Sequence, residues 1–246
     1  ITPYTVSRTV RGQMNEAEIR QQIQDVTRAF WEVEAGTDAF MKLATGKEIG
    51  HRIADLVDET TTALLERNFA TAQQRSAKGE PRARSMGDIW LQSSGIYNPI
   101  NVKAGEANKN GQPNMVSLNK LVHALLKHQI DSYYLLFVKM QLLGDRMQPR
   151  VYLVDILDYL DFTTFDAGPG QIMLKEREFY ETVTIGAPVP TIGIEEKIDR
   201  LISKYEDAYS RLLKNRERTL TLLRRKRAEF DVTASMGLDQ SGLNLR

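Results

Sequence analysis

The order of the sequence elements predicts an α/β protein with a mixed central sheet flanked by helices. Segments 15–35 and 193–230 repeat apolar residues at the three- and four-residue spacing of amphipathic helices. Between them, segments 88–92, 96–102, 132–143 and 151–157 are short runs rich in the aromatic and aliphatic residues that form buried strands. Because helical segments also lie between these strands, we expect helices packed against the sheet.

The N-terminal region, residues 1–80, is predicted to be helical and to belong to the same domain as the sheet. Asn15 is placed to cap the first helix, and its inward residues are expected to be Ile19, Ile23, Val26, Phe30 and Val33. A second helix is predicted from about Lys47 into the 70s, and it carries the acids Asp55, Asp58 and Glu59. Gly79 and Pro81 then interrupt the pattern.

Residues 81–192 are predicted to form the core of the fold. Two strands joined by a short loop are followed by a polar loop, a helix over 115–130 and two further strands, with a turn over 144–150. A glycine-rich turn, a short strand and a short helix are predicted over 166–180.

The C-terminal region, residues 193–246, is predicted to be one long helix with a loose tail after Thr233. Its second half is strongly basic and includes the run Arg224–Arg227. Two interpretations of this run stay open, namely a grip on phosphates and the exposed face of a dimerisation helix.

The composition limits the classes of function. The 33 Lys and Arg residues nearly balance the 32 Asp and Glu residues, which excludes a histone-like binder but not a DNA enzyme whose cations line one groove. The absence of cysteine excludes disulfides and thiolate zinc sites. No apolar run long enough for a membrane span and no signal-like start are seen, so a cytoplasmic protein is expected.

Three polar residues in the paired strands suggest a metal-dependent hydrolase. Asp88 begins the first apolar run, and Asn101 and Lys103 end the second, so a tight strand pair would bring them together. Mg²⁺ prefers oxygen ligands, which the Asp88 carboxylate, the Asn101 amide and the Val102 carbonyl can supply. Lys103 lies on the same strand face as Asn101 and can bind a phosphate or orient a water. An Asp and a Lys at strand ends are also common without any such role.

The surrounding segments resemble the PD-(D/E)xK superfamily of type II restriction endonucleases, most closely the blunt-cutting HincII/HpaI group. GDIWLQ, residues 87–92, resembles the strand with the metal-binding Asp, and INVKAG, residues 100–105, resembles the (D/E)xK strand. NKNGQPN, residues 108–114, resembles the loop that enters DNA, and DAGPGQIMLK, residues 166–175, resembles a later recognition segment. The resemblance covers a minority of the chain and implies a restriction-endonuclease-like fold.

The resemblance also assigns roles to single positions. It implies that Asp88 binds metal, that Lys103 is the catalytic lysine, that Gln112 enters the base stack and that Asn114 contacts base edges. Gly170 and Gln171 are implied for the second recognition segment. Asn108, Lys109, Asn110 and Lys120 are further DNA-binding candidates, because amides suit adenine and lysines suit guanine or phosphate. Asp55 is the candidate for an accessory acid on the second helix.

Asn101 departs from the family pattern, in which this position usually holds Asp or Glu. A carboxylate would be the stronger metal ligand, so two origins of Asn101 stay open. One is a native amide, and the other is an engineered Asp-to-Asn change that permits binding with slow cutting.

These observations together predict a homodimeric, Mg²⁺-dependent type II endonuclease that cuts both strands of a short palindromic site in double-stranded DNA and leaves 5′-phosphates. Blunt ends are implied by the resemblance alone. Two alternatives stay open. One is a repair or nicking nuclease of the same fold, and the other is a non-catalytic helical interaction protein that works through its basic C-terminal helix.

Overall fold

The fold is a mixed sheet with a helical layer on one face and a smaller sheet with further helices on the other. It is seen in a computed structural model, which describes residues 15–37, 49–69, 72–73, 86–93, 96–106, 112–143, 146–166, 168 and 170–241. Its helices are α1 (Glu16–Glu34), α2 (Ile49–Asn68), α3 (Leu118–Leu126), α4 (Glu176–Thr184) and α5 (Ile194–Ser241). Its strands are β1 (Ala72–Gln73), β2 (Ile89–Ser93), β3 (Ile96–Glu106), β4 (Asn114–Ser117), β5 (Tyr134–Leu143), β6 (Arg146–Asp155), β7 (Thr163–Asp166) and β8 (Gln171–Leu174).

The main sheet has the strand order β1-β2-β3-β5-β6. All neighbouring pairs are antiparallel except β3 and β5, which run parallel. A parallel pair needs a crossover between its strands, and the chain makes that connection through β4 and α3. The predicted α/β class with a mixed, helix-flanked sheet is therefore confirmed.

One face of the main sheet packs on α1 and α2. Asn15 caps α1 with a full capping box, as its sequence position predicts. Ile19, Ile23 and Trp31 of α1 share a buried core with β3 and β5, and the Trp31 indole donates to Thr61 of α2 at 2.9 Å. Because α1 and α2 share this core with the strands, the N-terminal helices pack as part of the sheet's own structure.

The other face of the sheet carries a second core. It is built from α3, the three-stranded sheet β4-β8-β7, α4 and the first turns of α5. Tyr133, Leu135 and Phe137 point into this core, whereas Tyr134 and Leu136 point into the helical layer. This alternation follows from the two-residue period of a strand.

Several predicted boundaries are wrong. Met115–Ser117 belong to β4 instead of the helix predicted over 115–130, because this segment pairs with β8. Residues 146–150 extend β6, although they were predicted as a turn. Val33 was placed on the inner face of the first helix but is 52% exposed.

The C-terminal helix is longer than predicted. Its backbone continues to Ser241, which contradicts a loose tail after Thr233. No helix among the described residues is both long and apolar enough to cross a membrane.

Candidate functional site

Asp88 and Asn101 lie next to each other where β2 begins. Ile89 is paired with Ile100, and the Asp88 backbone N–H donates to the Ile100 carbonyl at 2.9 Å. The Asp88 carboxylate accepts a hydrogen bond from the Val102 backbone N–H, with 2.8 Å between Oδ2 and N. Asp88 is therefore held against β3 by both its backbone and its side chain.

Gly87 makes this close approach of the two strands feasible. A Cβ atom at Gly87 would lie 2.8 Å from Pro99 Cβ and 3.0 Å from both the N and the O of Ile100. The first distance is shorter than real Cβ contacts and the other two are tighter than most, so a larger residue would have to push the two strands apart. Gly87 thus allows the next residue, Asp88, to lie close against β3.

Asn101 is a buried amide with one unsatisfied atom. Its side chain is on the same face of the sheet as the second core, and the residue is only 6% exposed. Its Nδ2 donates to the Met115 carbonyl at 3.2 Å, while its Oδ1 has no hydrogen-bond partner among the described residues. A buried acceptor in this state costs about 1–3 kcal/mol, so a donor or a cation at Oδ1 would be stabilising.

Tyr133, which sequence reasoning did not single out, lies close to Asp88 and Asn101. Its hydroxyl donates to the Met86 carbonyl at 2.8 Å, just before Gly87. Burial raises the pKa of Tyr133, the nearby Asp88 charge raises it further, and a hydrogen bond from Asn101 has the opposite effect. Tyr133 is therefore a neutral support for the strand end that carries Asp88. The only sequence signal was its place at the start of a buried aromatic run.

Lys103 meets an acid of α2. Its Nζ is 3.8 Å from Oδ2 of Asp58, and both side chains are partly buried. The sequence favoured Asp55 as the accessory acid, but the side chain of Asp55 lies outside the described residues, so its role stays a prediction. The acid that the structure places beside Lys103 is Asp58, an acid of the same helix that the sequence pattern did not favour.

The donors around this strand end suit a hard cation. Asp88, Asn101 and Asp58 offer only oxygen ligands, which magnesium prefers, and Mg²⁺ sites commonly use one or two carboxylates besides water and phosphate. Within the described ranges, no group of three or more His, Cys, Asp or Glu residues is arranged to hold a metal ion. Because both donor atoms are oxygens, the unsatisfied Oδ1 of Asn101 and the Asp88 carboxylate fit magnesium better than zinc. Ligation by the Val102 carbonyl stays a prediction.

The predicted recognition residues border β4. Gln112 and Asn114 are exposed just before and at its start, close to Met115, whose carbonyl contacts Asn101. Gly170 and Gln171 lie at the other end of β4, where Gln171 pairs with Ser117 and Gly170 has a positive φ of 68°.

The two predicted recognition segments therefore border the same small sheet but at opposite ends of one strand. Lys120 is exposed in the first turn of α3, beyond the end of β4. Asn108, Lys109 and Asn110 lie outside the described residues, so their predicted contacts with DNA cannot be placed.

A buried ion pair that the sequence did not reveal lies on the same face of the main sheet as Asn101. Lys139 of β5 pairs with Glu176 at the start of α4, and both side chains are almost fully buried. Gly105 of β3 leaves space for it, because a Cβ atom there would collide with Glu176 Oε1. The pair lies beside the strand segment that carries Lys103, since Gly105 is in register with Lys139 and Lys103 with Phe137.

The candidate site is thus a set of four polar residues, Asp88, Asn101, Lys103 and Asp58, around the start of β2 and the adjoining part of β3. Neither a scan against protein-family models nor a search of curated proteins found a match to this chain. The PD-(D/E)xK resemblance therefore rests on the residues of the chain itself and stays a prediction.

Proposed function

We propose that this chain is a type II site-specific endonuclease that hydrolyses both strands of a short palindromic DNA site in the presence of Mg²⁺ and leaves 5′-phosphates. The observation that carries the proposal is the grouping of Asp88 and Asn101 at one strand end with Lys103 and Asp58 close by. Phosphodiester hydrolysis needs an activated water, stabilisation of charge on the phosphate and neutralisation of the leaving oxygen, and a cation held by oxygen ligands beside a lysine can supply these.

Each residue has a distinct part in this proposal. Asp88 and Asn101 would hold the metal, with Asp88 fixed by the Val102 amide and Asn101 by the Met115 carbonyl. Bound Mg²⁺ would supply a more acidic water and neutralise charge on the phosphate and the leaving oxygen. Lys103 would place its ammonium on the scissile phosphate or orient the attacking water, and Asp58 would hold that ammonium in position.

Asn101 sets the expected strength of the activity. An amide oxygen carries no net charge, so Asp88 is the only charged member of the two residues proposed to hold the metal. Replacement of Asn101 by Asp should strengthen metal binding and raise the cleavage rate, whichever origin Asn101 has.

Recognition would combine the segments at the two ends of β4. Gln112 would push into the base stack and Asn114 would contact base edges, so part of the specificity would come from how easily the central step deforms. Pyrimidine–purine steps unstack most readily, which favours such a step at the centre of the site. The contact between Asn101 and the Met115 carbonyl supports this arrangement, because it links the start of β4 to the catalytic cluster.

A homodimer follows from the proposed substrate. A palindrome presents two equivalent half-sites, and a twofold dimer places one catalytic cluster on each strand. A nuclease that nicks one strand would need no such symmetry.

Digestion of a mixed-sequence plasmid tests the proposal. We expect discrete fragments that require Mg²⁺, that disappear with Lys103→Ala and that persist with Lys127→Ala, a matched change at an exposed lysine after α3. Nicked circles without linear product would instead support the repair or nicking nuclease. No cutting, together with no DNA binding in Ca²⁺, would leave the helical interaction protein as the better account.

A further inference from the structure

The first turns of α5 are firmly attached to the body of the protein. Lys197 Nζ lies 2.9 Å from Oδ2 of Asp155 and 2.9 Å from Oδ1 of Asp158, with the lysine side chain only 8% exposed. Leu201 and Ala208 are also buried, and Leu201 packs in the second core. The direction of the rest of α5 is therefore set by this attachment.

Beyond this attachment, α5 extends away from the body. From Arg211 to Phe230 every side chain is exposed except Leu212, which is partly exposed. At 1.5 Å per residue this segment is about 30 Å long, close to the length of one turn of duplex DNA. We call residues 211–230 the α5 extension.

The charge of the α5 extension differs in sign from the rest of the chain. It contains eight cationic residues and the two acids Glu217 and Glu229, which gives +6, whereas the whole chain has +1 and the remainder therefore −5. The cations are Arg211, Lys214, Arg216, Arg218, Arg224, Arg225, Lys226 and Arg227. Lys214, Arg218 and Arg225 lie on one side of the helix together with the acid Glu217. Such a concentration of one charge on a single exposed element favours a polyanionic partner.

We propose that the α5 extension is a second DNA-binding element, which grips duplex phosphates away from the catalytic cluster without reading bases. The choice of DNA as the polyanion rests on the proposed function. Charge complementarity supports it, because a duplex presents one negative charge per about 1.7 Å of its axis over the same length. The rigid attachment of α5 means that the grip would also orient the duplex relative to the body.

The test compares two variants of opposite charge change in the full chain. One carries Lys214→Gln, Arg218→Gln, Arg224→Gln and Lys226→Gln, and the other carries Glu217→Gln and Glu229→Gln. Glutamine keeps a high helix propensity, and equal circular dichroism would verify that α5 is retained. Binding to a random-sequence duplex of about 30 base pairs is measured in EDTA across a salt series, so that cleavage plays no part.

We expect the first variant to bind at least about tenfold more weakly at moderate salt, with a salt slope reduced by up to about 0.9 for each lost phosphate contact. The second variant should bind more tightly than the parent. Unchanged affinity and slope in both variants would overturn the inference. A loss of DNA binding that is fully explained by dissociation of a dimer would also overturn it. The same holds if the substitutions change binding to anionic vesicles and have no effect on binding to DNA.

This test is separate from that of the proposed function. If Lys103→Ala leaves all activity unchanged while the α5 variants still change DNA affinity, the proposed function fails and the present inference stands. If cleavage depends on Lys103 while the α5 variants bind DNA like the parent, the inference alone fails.

Discussion

Replacement of Asn101 by Asp should make the stability of the protein depend on magnesium. The variant should be less stable than the parent without metal and should recover most of the loss when Mg²⁺ binds. In the parent, Nδ2 of this 94% buried residue donates to the Met115 carbonyl, and Oδ1 has no hydrogen-bond partner among the described residues. In Asn101→Asp the donor is lost, which costs about 1–3 kcal/mol, and a second carboxylate faces Asp88 across the strand pair.

The expected loss of stability combines the cost of the lost hydrogen bond with the repulsion between the two carboxylates. At an effective dielectric constant of about 20, two charges roughly 5 Å apart repel by at most about 3 kcal/mol, and relaxation reduces this value. We therefore expect a net loss of about 3 kcal/mol without metal. For a chain of this size that is a fall in Tm of roughly 6–12 °C. A magnesium concentration one hundred times its Kd would return about 2.7 kcal/mol, which is most of the loss.

Thermal unfolding in EDTA and in Mg²⁺, without DNA, measures this difference. Asn98→Asp is the matched control, because Asn98 is fully buried on the opposite face of β3 and its Nδ2 donates to Asp131 at 2.6 Å. We expect both variants to lose stability in EDTA and only Asn101→Asp to regain it in Mg²⁺. Equal recovery of both variants, or no recovery of Asn101→Asp, would refute the assignment of Asp88 and Asn101 as metal ligands.

Three further predictions concern the residues that support the site and the attachment of α5. Gly87→Ala should cost about 1–3 kcal/mol and weaken the magnesium effect in the Asn101→Asp background, since the new Cβ collides with Pro99 and Ile100. Gly193→Ala, where nothing lies within 4 Å, should leave the magnesium effect unchanged and lose only the small N-cap preference for glycine. Thermal unfolding in EDTA and in Mg²⁺ measures both. Glu176→Leu alone should lower the free energy of unfolding by about 3–5 kcal/mol, because it leaves Lys139 buried and unpaired. Glu176→Leu combined with Lys139→Met should lower it clearly less. Equal losses of the two variants in urea unfolding would contradict the buried ion pair. Although desolvation acts against it, Arg200 and Lys204 hold the pKa of Asp161 below its usual value. Its contribution, under about 1 kcal/mol at this exposed site, should be present near pH 7 and lost as the pH falls through the folded-state pKa; a stability loss in Asp161→Asn that persists at low pH would exclude this cause.

Much of the fold could be predicted because local patterns and tertiary packing agree. The cap at Asn15 and the buried strand β5 are set by nearby residues, and both appear where the sequence places them. The helix prediction for Met115–Ser117 is wrong because the apolar side chains of Met115 and Val116 continue the helical pattern of α3. What makes them a strand is pairing with β8, more than fifty residues later, which no local window contains.

The candidate site could be predicted only in part. The short sequence distance between two adjacent strands made the proximity of Asp88 and Asn101 a short-range inference, and the structure places them together. Tyr133 and Asp58 come from distant segments, so their approach depends on how β5 and α2 pack. Lys139 escaped notice because a lone lysine in an aromatic run gives no sign of its partner Glu176.

Cleavage by the Asn101→Asp variant is the most direct test of the central claim, that the cluster around Asp88 is a magnesium-dependent phosphodiesterase site. The measurement is the rate of plasmid cutting by Asn101→Asp in Mg²⁺, compared with the parent and with Asn101→Asp combined with Lys103→Ala. We predict discrete double-strand fragments, a rate at least tenfold above that of the parent, and loss of cutting in the combined variant. A folded Asn101→Asp variant that leaves the plasmid intact in Mg²⁺, or that cuts equally well without Lys103, would contradict the claim.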